Sequence, residues 1–236
     1  MKRILTIFLA GLLVTPVCAL ARLEAGAGLS LAWPRGDFEQ QVKFALGGAG
    51  RVGWTFGSRS APAAATLYFD VNYFNYGHER RVEPFSTTIP DVAVDVVTEN
   101  FMLLFCPGLE IGVNRGPVRP YAEVFGGFTY IATRTRIENH GFSSEAIAES
   151  TNFDDFTTNY GFGGGLKFLI WHKNIETKYI ELSEALIDIK LSYVKGGEAE
   201  YLKKGSIGRS GGRVSYATIL SNTDLMLLRI GASFTF

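Results

Sequence analysis

The sequence is short of cysteine and histidine and has no long hydrophobic run beyond its first residues. Each shortage closes off a class of protein. Of the two cysteines, Cys18 lies in an apolar leader, so Cys106 stands alone in the remainder and no internal disulfide can form. The three histidines, His78, His140 and His172, have no zinc-ligand spacing, and no phosphate-cradling loop is present. His140-Gly141-Phe142-Ser143 sets a hydroxyl near an imidazole, but in a polar loop rather than on a rigid strand. The expectation is therefore a non-enzyme with no cofactor and no metal. Basic residues are not in excess either: 23 Lys and Arg balance 23 Asp and Glu. That balance gives no footing for a nucleic-acid partner, which needs a basic surface. After the leader, no segment has the roughly 18 uninterrupted apolar residues of a membrane helix.

The leader reads as an export signal. Lys2 and Arg3 precede the apolar run Ile4 to Val14, and Ala19-Leu20-Ala21 has the small-x-small pattern of a cleavage site. That run would span only about 16 Å as a helix, against a hydrocarbon core of about 30 Å, so a membrane anchor is disfavoured. Bulky Val17 before Cys18 fits lipid attachment poorly. Residues 1–21 are expected to be a cleaved signal peptide and residues 22–236 a single domain.

What that domain has in abundance is glycine and aromatics, with 27 Gly, 18 Phe and 10 Tyr in the full chain. It also alternates apolar and polar residues with a period of two, the mark of strands. The last strand is the sharpest case. Phe236, Phe234, Ala232, Ile230, Leu228 and Met226 share one face, while Thr235, Ser233, Gly231, Arg229 and Leu227 share the other. Similar alternation predicts strands near 23–33, 44–56, 66–76, 101–113, 119–133, 159–171 and 186–195. The links after the third, fifth and seventh strands (77–99, 134–158 and 196–223) are long and polar, whereas those after the second and fourth are short turns. Bacterial membrane barrels show this asymmetry.

Charge is equally one-sided. The faces opposite the apolar ones carry Glu24, Arg51, Asp70, Glu110, Glu123, Lys167, Asp188, Lys190 and Arg229, five acids and four bases. The apolar faces end in Trp33, Trp54, Tyr73, Tyr130 and Trp171, where an interfacial girdle would lie. Alternation alone does not separate a lipid-facing barrel from a soluble sandwich. The leader, the terminal Phe and the aromatic ends favour the barrel.

Leu23 to Phe56, with LSLAWPRGDF followed by a Gly-rich strand, resembles the opening hairpin of OmpA/OmpX-like outer-membrane barrel domains. The stretch from Leu186 to Ile207 and the tail DLMLLRIGASFTF resemble the closing hairpin. The resemblance implies an all-β, eight-stranded antiparallel up-and-down transmembrane barrel with a plugged polar lumen in a bacterial outer membrane. It also implies that the C-terminal strand (Phe236, Phe234, Ile230, Leu228) is read by the barrel-assembly machinery. Eight strands leave room only for side chains inside, so the nine charges are expected to pair in a lumenal network that includes Arg51, Glu110, Glu123, Lys167 and Arg229. Function is then expected in the three long loops of a monomeric scaffold in contact with outer-membrane lipid. The alternatives are a narrow pore or small-ligand transport barrel, a soluble lipocalin-like periplasmic carrier, and a lipid-modifying enzyme.

Overall fold

A computed structural model describes residues 21–58, 60–84, 93–139, 146–173, 182–202, 208–210, 213–215 and 217–236. Residues 1–20 of the expected signal peptide, and His140, lie outside the described residues. Seven strands follow in chain order: β1 (Arg22–Pro34), β2 (Ala45–Phe56), β3 (Ala63–Pro84), β4 (Ala93–Val113), β5 (Val118–Asn139), β6 (Ala146–His172) and β7 (Glu184–Gly196). Four short strands come next: β8 (Glu198–Leu202), β9 (Gly208–Ser210), β10 (Arg213–Ser215) and β11 (Thr218–Asn222). The last is β12 (Leu225–Thr235). Strands β1 to β7 and β12 close into an eight-stranded antiparallel barrel, in which β1 pairs with both β2 and β12. The sheet has no free edge through the barrel wall, which a bilayer demands.

The period-two pattern acts as expected. Outward side chains are apolar and exposed, among them Leu29 (68%) and Phe162 (63%), while the nine expected inward charges are all buried. A soluble carrier would need the reverse arrangement, because a continuous apolar exterior of this size is not stable in water. The outward apolar row of β4 runs from Phe101 to Val113. At about 3.3 Å per residue and a tilt near 40°, such a row covers about 30 Å along the barrel axis, close to the apolar band of a transmembrane barrel.

The strand boundaries differ from expectation at one end. β3, β4, β5 and β6 have 22, 21, 22 and 27 residues, so most of the segments 77–99 and 134–158 is strand rather than loop. Polar residues there alternate with Val94, Val96 and Ile137, and cross-strand pairing continues from Gly77↔Asn100 to Pro84↔Ala93. High polarity signals departure from the membrane and not departure from the sheet. The described residues of 196–223 include two further strand pairs: β8 with β11, and β9 with β10. Phe236 falls just beyond β12 yet remains tied to the wall, its N–H donating to the Leu23 carbonyl at 2.9 Å.

Glycine lets the wall close around its contents. A Cβ on Gly108 would stand 2.6 Å from the Tyr68 ring, which lies across the lumen face at that point. A Cβ on Gly47 would fall on the backbone carbonyl of Tyr73 in the neighbouring strand. Gly47→Ala therefore forces β2 and β3 apart rather than displacing a flexible side chain. It is expected to cost about 1–3 kcal/mol, measured as a lower urea midpoint in lipid vesicles. An unchanged midpoint would show that the strands yield freely there.

Candidate functional site

The lumen is stacked in layers, and every barrel strand contributes to the charged one. Arg51 of β2 is its centre. Its Nη2 donates to Glu110 Oε2 at 2.7 Å and its Nη1 to Glu123 Oε2 at 3.2 Å, with Nε 3.7 Å from Asp70 Oδ1. Its guanidinium also lies 3.6 Å over the centre of the Tyr68 ring, a cation–π contact in a dry setting. Glu110 and Glu123 sit directly opposite each other on β4 and β5, a like-charge pairing that would repel without the forked guanidinium between them.

Lysines close the layer from the far wall. Lys167 of β6 donates to Glu24 Oε1 and to Glu110 Oε1, each at 2.7 Å. Lys190 of β7 donates to Asp70 at 2.7 Å and stands 2.8 Å from Glu123. Arg229 of β12 donates to Asp70 at 3.1 Å and to Asp188 at 2.8 Å, while the Tyr121 hydroxyl donates to the other oxygen of Asp188 at 2.7 Å. Thus all nine expected residues share one connected network, wider than the five singled out from the sequence. Charges this deep persist only when paired and hydrogen-bonded, because desolvation otherwise exceeds the Coulombic gain.

Above the charges, toward the long-strand end, lies a layer absent from the sequence expectations. Ala32, Ala45, Phe74, Met102, Leu104, Ile131, Leu225 and Leu227 point inward and form a buried apolar core with Cys106. Phe38 and Val42 from the β1–β2 link, and Ala199 and Tyr201 from β8, complete it. Phe38 is wholly buried, with its ring 5.2 Å from that of Tyr201 and 5.9 Å from that of Tyr76. The signal was available in Phe101-Met102-Leu103-Leu104-Phe105, where both faces of a strand are apolar and one of them must point inward.

The opposite end is polar. Arg119 forms a two-pronged pair with Glu184, both contacts at 2.8 Å, and Arg22 Nη2 donates to Asn114 at 2.8 Å. Between this rim and Lys167 is a cavity of about 40 Å³, room for about three waters. Nearer the apolar core, a second void of about 10 Å³ is lined by Asp70, Asn72, Cys106 and Arg229 among others.

The five expected interfacial aromatics face outward toward the two ends of the barrel. Trp54 and Trp171 lie toward the short turns. Trp33 lies toward the other end, with its ring 5.8 Å from that of Phe44. Tyr73 and Tyr130 belong to a run of touching rings, Tyr73–Phe101–Tyr130–Phe156–Phe128–Phe105, at centroid separations of 4.7–6.4 Å. This belt marks where the wall leaves the apolar zone.

Among the described residues, the histidines are not gathered. His78 Nδ1 lies 3.7 Å from Glu99 and His172 Nδ1 lies 3.6 Å from Glu184, both half-exposed and at opposite ends of the molecule. Gly208-Arg209-Ser210-Gly211-Gly212 has the spelling of a nucleophile elbow, but its first three residues form β9, paired with β10, and a motif of this kind counts only where a strand-to-helix turn carries it. Among the described residues there is no cluster of His, Cys, Asp or Glu suited to a metal.

No family model matches this chain, and no curated protein matches it. Several solved structures are similar in shape. Neisserial surface protein A is 12% identical, with a TM-score of 0.39, over 91% of this chain and 97% of that one. Ail, the attachment invasion locus protein of Yersinia pestis, solved with the heparin analogue sucrose octasulfate, is 12% identical, with a TM-score of 0.37, over 92% and 99%. A major outer membrane protein from Thermus thermophilus is 11% identical, with a TM-score of 0.40, over 90% and 99%. No residue role passes across at such identities. The inverted burial and the closed ring are this chain's own. It is an integral membrane β-barrel of the outer-membrane type.

Proposed function

We propose that the protein is a non-conducting, non-catalytic scaffold of a bacterial outer membrane that presents a rigid sheet for interactions beyond the lipid surface. The observation that carries this reading is the double closure of the lumen, by the charged layer and by the apolar layer above it. A barrel sealed twice is poorly suited to transport, and the cavity of about 40 Å³ that would favour a narrow pore is lined by Lys167 and Glu110 of the charged layer. The lumenal network holds the wall rigid.

Display then falls to the four-stranded extension of β3 to β6. β2 pairs with β3 only as far as Asn75, and β7 pairs with β6 only from Asn159, so the strands continue past their neighbours. Cross-strand charge pairs hold the extension, including Arg80–Asp95 at 2.6 Å, Arg136–Glu99 at 2.6 Å and Arg134–Glu149 at 2.9 Å. Insertion by the assembly machinery through the Phe234 and Phe236 end, and a monomeric state in lipid, belong to the same reading.

Planar-bilayer recording tests the closure. Purified protein is expected to give no stable channel openings. Reproducible unit conductance would overturn the scaffold reading in favour of a pore.

A further inference from the structure

Two segments that belong to no barrel strand meet inside the mouth of the lumen. One is the β1–β2 link, with its single turn Phe38–Gln40, where Asp37 makes no side-chain capping bond. The other is the hairpin of β8 and β11, which pair with each other and with no barrel strand. The β7–β12 ladder stops at Val194↔Leu225, and the hairpin ladder begins separately at Glu198↔Asn222. Both segments leave the wall at Asp224. Its carboxylate accepts from the Lys195 ammonium at 2.7 Å, the Tyr193 hydroxyl at 3.2 Å and the Gly196 N–H at 3.1 Å. Its carbonyl accepts from the Arg35 N–H at 2.9 Å. One buried residue therefore anchors the roots of both segments.

Beyond that root, neither segment is stable by itself. A lone two-stranded hairpin is marginal in water, and one helical turn does not offset the entropy of forming it. Each is held by what it touches. The Phe38 ring meets the Tyr201 ring edge-on, at 5.2 Å and 76°, and Ala199 and Leu202 are buried with them. The Glu200 N–H donates to Asp155 Oδ2 and the Gly197 N–H to the Thr158 carbonyl, each at 2.8 Å, which rests the hairpin against β6. The charged layer below is built differently, since all nine of its residues stand on barrel strands. It cannot part unless the wall parts, whereas the two segments above can leave the wall intact.

Taking the double closure proposed above as the resting state, we infer that the β1–β2 link and the β8–β11 hairpin form a latch over the lumen. The packing of Phe38 against Tyr201 closes it, and it opens about Asp224 while the charged layer stays shut. Opening turns the apolar layer of Phe74, Met102 and Leu104 into a cup that faces out of the barrel, and it brings water to Cys106 in the same layer. Each ring holds the other in place, so loss of either one releases both segments.

Cys106 is a native reporter, because it is buried in the layer that the latch covers. The full chain in lipid vesicles is treated with N-ethylmaleimide, and labelling is assigned to Cys106 by peptide mass. Slow labelling is expected at a rate that low urea leaves unchanged, since local opening exposes little surface compared with unfolding. Phe38→Ala and Tyr201→Ala are each expected to speed it about tenfold or more, through lost packing. The double variant should fall well short of the product of the two effects, because they act on one opening. Glu184→Gln, at the opposite end, should leave the rate unchanged. Heat-modifiable electrophoretic mobility confirms that each variant is folded. Cys106 unlabelled in native protein and variants alike, labelling that rises with urea in step with unfolding, or fully multiplicative effects of the two rings would each overturn the latch. The double variant is also expected to stay silent in a planar bilayer. Channel openings there would defeat the seal by the charged layer, and with it the scaffold reading, whereas the labelling decides the latch.

Discussion

Arg51→Leu is expected to destabilise the folded barrel by about 3–5 kcal/mol, the cost of leaving a buried partner charge uncompensated. Leucine restores some packing but leaves Glu110, Glu123 and Asp70 without the guanidinium that now lies 2.7, 3.2 and 3.7 Å from them. Lys167 and Lys190 remain, yet each already serves two acids. Arg51→Lys keeps the charge but cannot fork between Glu110 and Glu123, so it should fall between Leu and the native residue. Urea unfolding in vesicles, followed by tryptophan fluorescence, measures both. Native-like stability of Arg51→Leu would mean that the layer is wet and its pairs are weak. The variant is also expected to stay silent in a planar bilayer, because the apolar core above it does not depend on Arg51.

The second large effect concerns the tie between β6 and β1. Lys167→Met removes the cation that bridges Glu24 and Glu110, two carboxylates on opposite sides of the lumen. The loss is again expected near 3–5 kcal/mol. Glu24→Gln alone should cost less, since Ser233 and Thr55 still donate to its side chain. The informative measurement is the double variant, whose destabilisation should fall short of the sum by about 0.5–3 kcal/mol if the two groups interact directly. Arg80→Ala, on the exposed extension, should simply add to Lys167→Met. Strict additivity between Lys167 and Glu24 would sink the claim that they are paired.

Much of this architecture is legible in the chain because a lipid-facing barrel writes a period of two onto its sequence. Leu29, Val52, Val124 and Ile230 announce the outer face, and Glu24, Arg51, Glu123 and Arg229 the inner one. Strand ends are less legible. Gly77 to Pro84 and Ala146 to Asp155 carry polar residues on both faces with few apolar ones between, which reads as loop although it marks only the end of the apolar zone. The apolar plug is harder still. Phe38 lies in a turn between strands and Tyr201 in a distant hairpin, and nothing local says that their rings meet.

The sequence by itself determined which strand residues share a face, because that depends only on alternation along a strand, while the barrel class and the inward direction of the nine charges also drew on the leader, the terminal Phe and the aromatic strand ends. Partners were decided elsewhere. Lys167 meets Glu24 across 143 residues and Arg229 meets Asp70 across 159, contacts that exist only once the ring closes with β12 against β1. The seal by Phe38 and Tyr201, which joins the β1–β2 link to a distant hairpin, and the extension of β3 to β6 beyond β2 and β7 likewise exist only in the closed sheet. Strand length relative to a neighbour is a property of the closed sheet, not of any one strand.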